Sequence, residues 1–252
     1  MTPVDPSSGP VGPLRVTFVT GVVPDKWARR WAERTTVPLV LDPTGQDEQL
    51  TALRHGDADM ALVRLPVDRT GLHLIPLYTE RPVVVVSAEH PVAAYDEIAV
   101  ADLADEHLLQ DPDDVPAWRD AATEVRDGTR YPVPRMTLRE LLESVAADAG
   151  VAVLPMSVAR VHHRKDVVAV PVTGVDETQV ALVWPQDVDD PRLETFIGVV
   201  RGRTVRSSRG QDPAATDSPK PRGARSAPAK TAGGGLRAGR SQRRGGQGRR
   251  RR

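Results

Sequence analysis

The stretch RHGDADMALVRLP, Arg54 to Pro66, decides the fold. Leu50 and Leu53 just before it form the apolar side of a helix, and Gly56 stands where a helix ends on a left-handed residue. Asp57 and Asp59 fill the turn that follows. Met60, Ala61, Leu62 and Val63 then run apolar without alternation between polar neighbours. That is the pattern of a strand covered on both faces, as in parallel α/β sheets. Arg64 comes next, at the carboxyl end of the strand, where open α/β sheets bind their ligands. A fixed cation in that place suits a small anion.

Upstream, Leu14 to Thr20 reads as a strand, Gly21 turns the chain, and Pro24 suits the first turn of a helix. Trp27, Ala28, Trp31 and Ala32 repeat at helical spacing, and core packing accounts for both indoles. Val37 to Asp42 is a second strand and Gln46 to His55 a second helix. Strand, helix, strand, helix, strand at these spacings is βαβαβ, hence a parallel sheet with right-handed crossovers.

Downstream, Leu74 to Leu77 and Pro82 to Ser87 read as strands, and the run Val83 to Val86 demands burial. A helical turn at Ala101 to Ala104, a short strand at His107 to Gln110 and a helix from Pro116 to Arg126 follow. Tyr131 to Arg135 is extended because of its prolines. Leu138, Leu141, Leu142, Val145, Ala146 and Ala149 mark an amphipathic helix capped by Gly150, and Val151 to Leu154 is a buried strand. Val167 to Val172 and Gln179 to Trp184 are two more strands, and Pro191 to Arg203 is a last helix with Leu193, Phe196, Ile197 and Val200 inward. The expected architecture is α/β, in two lobes.

Composition narrows the classes. There is no cysteine, so neither a disulfide framework nor a thiolate metal site is available in these 252 residues. The first residues, MTPVDPSSGPVGP, lack the basic and apolar regions of a secretory signal, and no apolar run reaches the roughly 20 residues that span a bilayer. A cytoplasmic protein without a membrane partner is expected. The net charge of zero hides an asymmetry: residues 207–252 carry 13 Lys or Arg against 2 Asp or Glu, +11, leaving 21 against 32, or −11, for residues 1–206. Asymmetry of that kind points to a tail with its own partner.

Several segments together are similar to the substrate-binding domain of LysR-type transcriptional regulators. The family's G-[DE]-x-D-x-[AG]-[LI]-x-x-x-P element stands here as Gly56, Asp57, Asp59, Ala61, Leu62 and Pro66. IAVADLADEHLL (Ile98 to Leu109) matches a second element, and VAADAGVAVLP (Val145 to Pro155) a third, with VVVVSAEHP beside them. The resemblance covers about Leu14 to Arg203. It implies a two-lobed, type II periplasmic-binding-protein-like fold with disordered tails, with lobe I about 14–87 and 160–206 and lobe II about 88–159. On this reading residues 1–13 and 207–252 are the disordered segments. The family's usual winged helix-turn-helix has no counterpart in the 13 residues before the first strand, so operator binding is not implied.

Candidate ligand-binding residues follow from the strand ends and from the resemblance. Thr20 and Gly21 precede the first helix, Thr44 and Gln46 the second, and Thr137 the helix of the second lobe. Thr137 and Glu140 have capping-box spacing, and Thr44 with Asp47 nearly so. Helix starts of this kind present free N–H groups and the positive end of a dipole to an anion. The plainer alternative is that each Thr only caps its helix. Arg64 joins them, with a surface ion pair as its plain alternative. Ser87 lies near the expected crossover between lobes, and Met136 and Pro155 would supply apolar wall.

Catalysis finds little support. No glycine-rich phosphate loop and no G-x-S-x-G turn occur, and adjacent His162 and His163 point apart on a strand or loop. Asp111, Asp113 and Asp114 lack EF-hand spacing. No cofactor and no metal are expected. The expected function is ligand sensing in transcriptional control, with a small anionic metabolite held between lobes and, from the family's habit, a homodimer. The second reading is a protein that associates with nucleic acid through its tail. Arg243, Arg244, Arg249, Arg250, Arg251 and Arg252 would then neutralise phosphates without reading sequence, since the tail has no aromatic residue to stack on bases. An enzyme on the same fold is the third.

Overall fold

Two sheets build the molecule, and each strand's side-chain parity decides what it covers. The computed structural model describes residues 12–202. In chain order, β1 (Leu14–Val19) leads through α1 (Asp25–Ala32) to β2 (Leu39–Thr44), and α2 (Thr51–His55) leads to β3 (Met60–Arg64). β4 (Leu72–Glu80) completes this part. The chain then crosses into β5 (Pro82–Ser87), β6 (Ile98–Ala99), α3 (Pro116–Ala121), α4 (Thr123–Arg126), α5 (Leu138–Ala146), β7 (Ala152–Pro155), α6 (Met156–Val161) and β8 (Val167–Thr173). It returns as β9 (Thr178–Pro185) and ends in α7 (Pro191–Val200).

The first sheet has the order β2-β1-β3-β9-β4 and the second β6-β8-β5-β7. β1 pairs in parallel with both β2 and β3, as the βαβαβ pattern requires. β9 lies between β3 and β4, antiparallel to both, so the sheet is mixed. Met60 and Leu62 of β3 face one core with Leu14, Val16, Trp31 and Phe196, where α1 and α7 pack. Ala61 and Val63 face the other way, onto Leu53 of α2. All four are fully buried, as an unbroken apolar strand must be. β5 repeats the device: Val84 and Val86 pack with Trp118 and Leu103, and Val83 and Val85 with Leu141, Val145 and Val158. Two of the buried indoles find acceptors, Trp31 at the Val37 carbonyl (2.7 Å) and Trp118 at the Leu103 carbonyl (3.0 Å).

The crossovers differ from the sequence reading. β5 belongs wholly to the second sheet, pairing with β7 and β8, so the first crossing is at Arg81 rather than near Ser87. β8 also lies in the second sheet, so the return comes at Gly174 to Glu177 rather than near residue 160. Lobe I is therefore 14–80 and 178–200, and lobe II is 82–173. A strand buried on both faces carries no local mark of which sheet takes it. Residues 1–11 and the tail from 203 onward, with its arginines, lie outside the described residues.

Local boundaries shift for identifiable reasons. The second helix begins at Thr51, not Gln46, because residues 47–50 form turns. The helix expected from Pro116 to Arg126 breaks at Ala122, whose backbone is extended. Gly56 takes the left-handed cap of α2 as expected, with φ 77°. Gly150 does not cap α5. Asp148 takes the left-handed conformation there, and Gly150 instead lets the backbone pass His107, whose carbonyl oxygen would lie 2.3 Å from a Cβ.

Candidate functional site

Three parallel strands bring their carboxyl ends to one edge. Val19 is in register with Thr44, and β3 lies on the other side of β1, so Thr20, Thr44 and Arg64 fall together from residues 44 positions apart. Thr20 donates its N–H (3.2 Å) and its hydroxyl (3.3 Å) to the Thr44 carbonyl, which ties the two strand ends. Neither threonine caps a helix. Pro24 holds the N-cap of α1 and Leu50 that of α2, neither with a side-chain bond. Thr137 does cap: its hydroxyl accepts from the Glu140 N–H, and the Glu140 carboxylate takes the Thr137 N–H. Those bonds hold the Glu140 carboxyl below its usual range.

Arg64 is the centre of the edge, and it is 4% exposed. Its Nε donates to Glu80 Oε2 at 2.7 Å and its Nη1 to Gln46 Oε1 at 2.9 Å. Its Nη2 donates to the Thr20 carbonyl at 3.1 Å and to Ser157 Oγ at 3.4 Å. Gln49 clamps the backbone: its Oε1 accepts from the Arg64 N–H at 2.7 Å and its Nε2 donates to the Arg64 carbonyl at 3.0 Å. The surface ion pair weighed as the plain alternative for Arg64 is therefore a buried one, with both side chains 4% exposed. The cation is matched by an anion in place, and an incoming anion has to take over bonds that the chain now supplies.

The second lobe reaches this edge through α6. Ser157 donates to Glu80 Oε1, and a Cβ on Gly21 would lie 2.5 Å from Ser157 Oγ and 3.0 Å from the Val158 nitrogen. Gly21, at φ 97°, is thus a point of close approach between the lobes. Pro155 stands next to this contact, in register with Pro82 at the first crossover. Met136 packs on the α5 core of lobe II and accepts from Ser144 at 3.6 Å. Ser87 is not at a crossover: it ends β5 about 20 Å from Arg81 at the rise of an extended strand, and its hydroxyl accepts from the Glu89 N–H at 3.4 Å. Thr20, Gly21, Thr44, Gln46 and Arg64 are therefore brought together with Pro155 nearby. Ser87 stands apart, and Thr137 makes its bonds within its own capping box.

A cavity of about 440 Å³ opens beside Gly21, lined also by Val23, Trp27, Lys26 and Tyr78. Burial, and then the charge of Glu80, push the Tyr78 hydroxyl up to about 12, so it stays a neutral donor. Burial also raises Asp114 in lobe II, with Asp111 and then Asp47 of lobe I adding like charge. Among the described residues no cluster of His, Asp and Glu is arranged to hold a metal ion, and His162 keeps a buried Nε2 without a partner. No helix among them is long and apolar enough to cross a membrane.

The LysR substrate binding domain model matches residues 7–204. The chain belongs to this family. Among relatives, the "Probable hydrogen peroxide-inducible genes activator" of Mycobacterium avium is 29% identical over 60% of this chain and 52% of its own length. The HTH-type transcriptional regulator MetR of Escherichia coli is 30% identical over 60% and 49%. The chain spans about half the length of these curated relatives. Among solved structures, a full-length OxyR from Pseudomonas aeruginosa superposes with a TM-score of 0.59 at 25% identity, over 75% of this chain and 69% of that one. The BenM effector binding domain with its effector benzoate also gives 0.59, at 20% identity, over 82% and 98%. The two-sheet architecture is the one this LysR substrate-binding domain shares with them.

Sequence reasoning missed four residues that the structure brings to this edge: Gln49, Tyr78, Glu80 and Ser157. Glu80 and Ser157 lie 16 and 93 positions from Arg64, and only the fold creates their contact. Glu80 carried one faint signal, an acidic residue directly before the Arg81-Pro82 break.

Proposed function

We propose that this domain senses a small anionic effector, held between its lobes at the Arg64 edge and serving transcriptional control. One observation carries the reading: Thr20, Gln46 and Arg64 converge at the carboxyl ends of adjacent strands, facing α6 of the other lobe. A carboxylate replacing Ser157 or the Thr20 carbonyl on Nη2 would pair charge with charge, a stronger bond than those the guanidinium now makes to these neutral acceptors. Gly21, Thr44 and Pro155 shape the place, and Thr137 and Met136 belong to the facing lobe. Thiol oxidation is not part of this reading, because these 252 residues have no cysteine.

Thermal-shift titration with small carboxylates, benzoate among them, tests this. A ligand at 100 times its Kd stabilises the fold by about 2.7 kcal/mol. Gln46→Ala and Thr20→Val, which spare the ion pair, are expected to weaken that gain. A carboxylate whose stabilisation is the same in both variants and in Arg64→Met binds somewhere else. A second reading concerns the tail alone: its +11 charge suits nonspecific association with nucleic acid, alongside effector sensing rather than in place of it.

A further inference from the structure

The polar contacts between the lobes concentrate on one side chain. Ser157, at the start of α6, donates to Glu80 Oε1 and accepts from Arg64 Nη2 at 3.4 Å. It thereby touches both members of an ion pair that belongs entirely to lobe I. The chain around it is fixed on both sides. Met156 donates its N–H to the Arg81 carbonyl at 2.9 Å, so α6 starts against the first crossover. Glu80 is in register with Thr178, the first residue after the second crossover. The carboxylate of Glu80 therefore sits where the chain both leaves lobe I and re-enters it.

We infer that Ser157 is the lobe II half of a latch that holds the two lobes at one angle, with the Arg64–Glu80 pair as its seat. Gly21 is the surface on which it closes. The absence of a side chain at Gly21 lets Ser157 Oγ come within 2.5 Å of where a Cβ would stand. Of the acceptors on the Arg64 guanidinium, Ser157 is the most distant, at 3.4 Å against 2.7 to 3.1 Å for the others. It is the one that a competing acceptor displaces first, and losing it frees α6 from Arg64. The latch stands on this geometry. Its use in sensing rests on the effector-site reading above: a group that takes over Nη2 of Arg64 removes one of the two bonds by which Ser157 holds the pair and so weakens the latch.

The experiment needs no effector. The chain lacks cysteine, so two introduced cysteines carry the only spin labels in the full-length protein. Tyr131→Cys in lobe II and Val188→Cys in lobe I are suitable, being 79% and 47% exposed. Pulsed dipolar spectroscopy on this pair reads the angle between lobes. Ser157→Ala is expected to add a population at a different distance, and Gly21→Ala, which wedges the same contact, to do likewise. Ser144→Ala, whose hydroxyl bonds to Met136 alone among the described residues, is expected to leave the parent distribution unchanged. Amide exchange at Met156 and Val158 should quicken in Ser157→Ala, which gives a reading should the labelled variant fold poorly. A parent-like distance distribution in Ser157→Ala, with unchanged exchange at those amides, overturns the latch. Failure of every carboxylate to bind would end the effector-site reading and leave this result standing.

Discussion

Replacing Glu80 by Gln isolates the buried pair with almost no change of shape. The amide keeps the volume of the carboxylate and removes its charge. Arg64, 4% exposed, then has the Gln46 amide oxygen, the Thr20 carbonyl and Ser157 around it but no counter-charge. Breaking a buried pair by removing one partner costs about 3–5 kcal/mol. A chain of this size loses roughly 2–4 °C of melting temperature per kcal/mol, so a fall of about 6–20 °C is expected. Added salt should hardly change the difference, because screening acts on exposed charges. The double variant Arg64→Met with Glu80→Leu removes both charges and should be more stable than Glu80→Gln alone, since apolar replacement of a buried pair is often neutral or stabilising. Urea unfolding of parent, single and double variants measures all three. A loss below about 1 kcal/mol in Glu80→Gln, the range of exposed pairs, would refute the burial argument. So would a double variant less stable than the single.

Two further outcomes follow from other parts of the chain. Gly150→Ala places a methyl 2.3 Å from the His107 carbonyl oxygen, so it should destabilise lobe II by about 1–3 kcal/mol as overpacking does, measurable by urea unfolding. Binding of the full chain to duplex DNA should be indifferent to sequence, fall by roughly 0.9 log units per phosphate neutralised for each tenfold rise in salt, and vanish when residues 207–252 are removed; sequence-selective binding by a protein without them would contradict this.

The sequence made the strands plain and left their partners open. Met60 to Val63 and Val83 to Val86 are both unbroken apolar runs, and both prove to be buried on two faces. Yet nothing in VVVV says that β5 belongs to the second sheet, because either sheet would bury it equally. The capping threonines divide on a similar point. Thr137 heads a helix with Glu140 three residues on, and both halves of the box form. Thr44 has comparable spacing, but the segment after it serves Arg64 instead: Gln46 meets the guanidinium and Gln49 holds both backbone groups of that residue. A turn that delivers two amides to a buried arginine is not free to begin a helix. Thr20, Thr44 and Arg64 were legible as a group because parallel strands must end together, whereas Glu80 and Ser157 enter only through contacts between distant segments.

The position of β9 has a consequence for how the chain is made. Ala61 pairs with Val183, about 120 residues later, and Leu74 pairs with the same Val183 from the other side. As the polypeptide emerges from the ribosome, β3 and β4 are complete while the strand that belongs between them is unmade. Each then presents an open row of amides and carbonyls through the synthesis of all of lobe II, and such edges recruit wrong partners. Pairings so far apart in sequence also form slowly. The apolar strength of β3 that makes the finished sheet secure is, for that interval, its most exposed hazard during biogenesis.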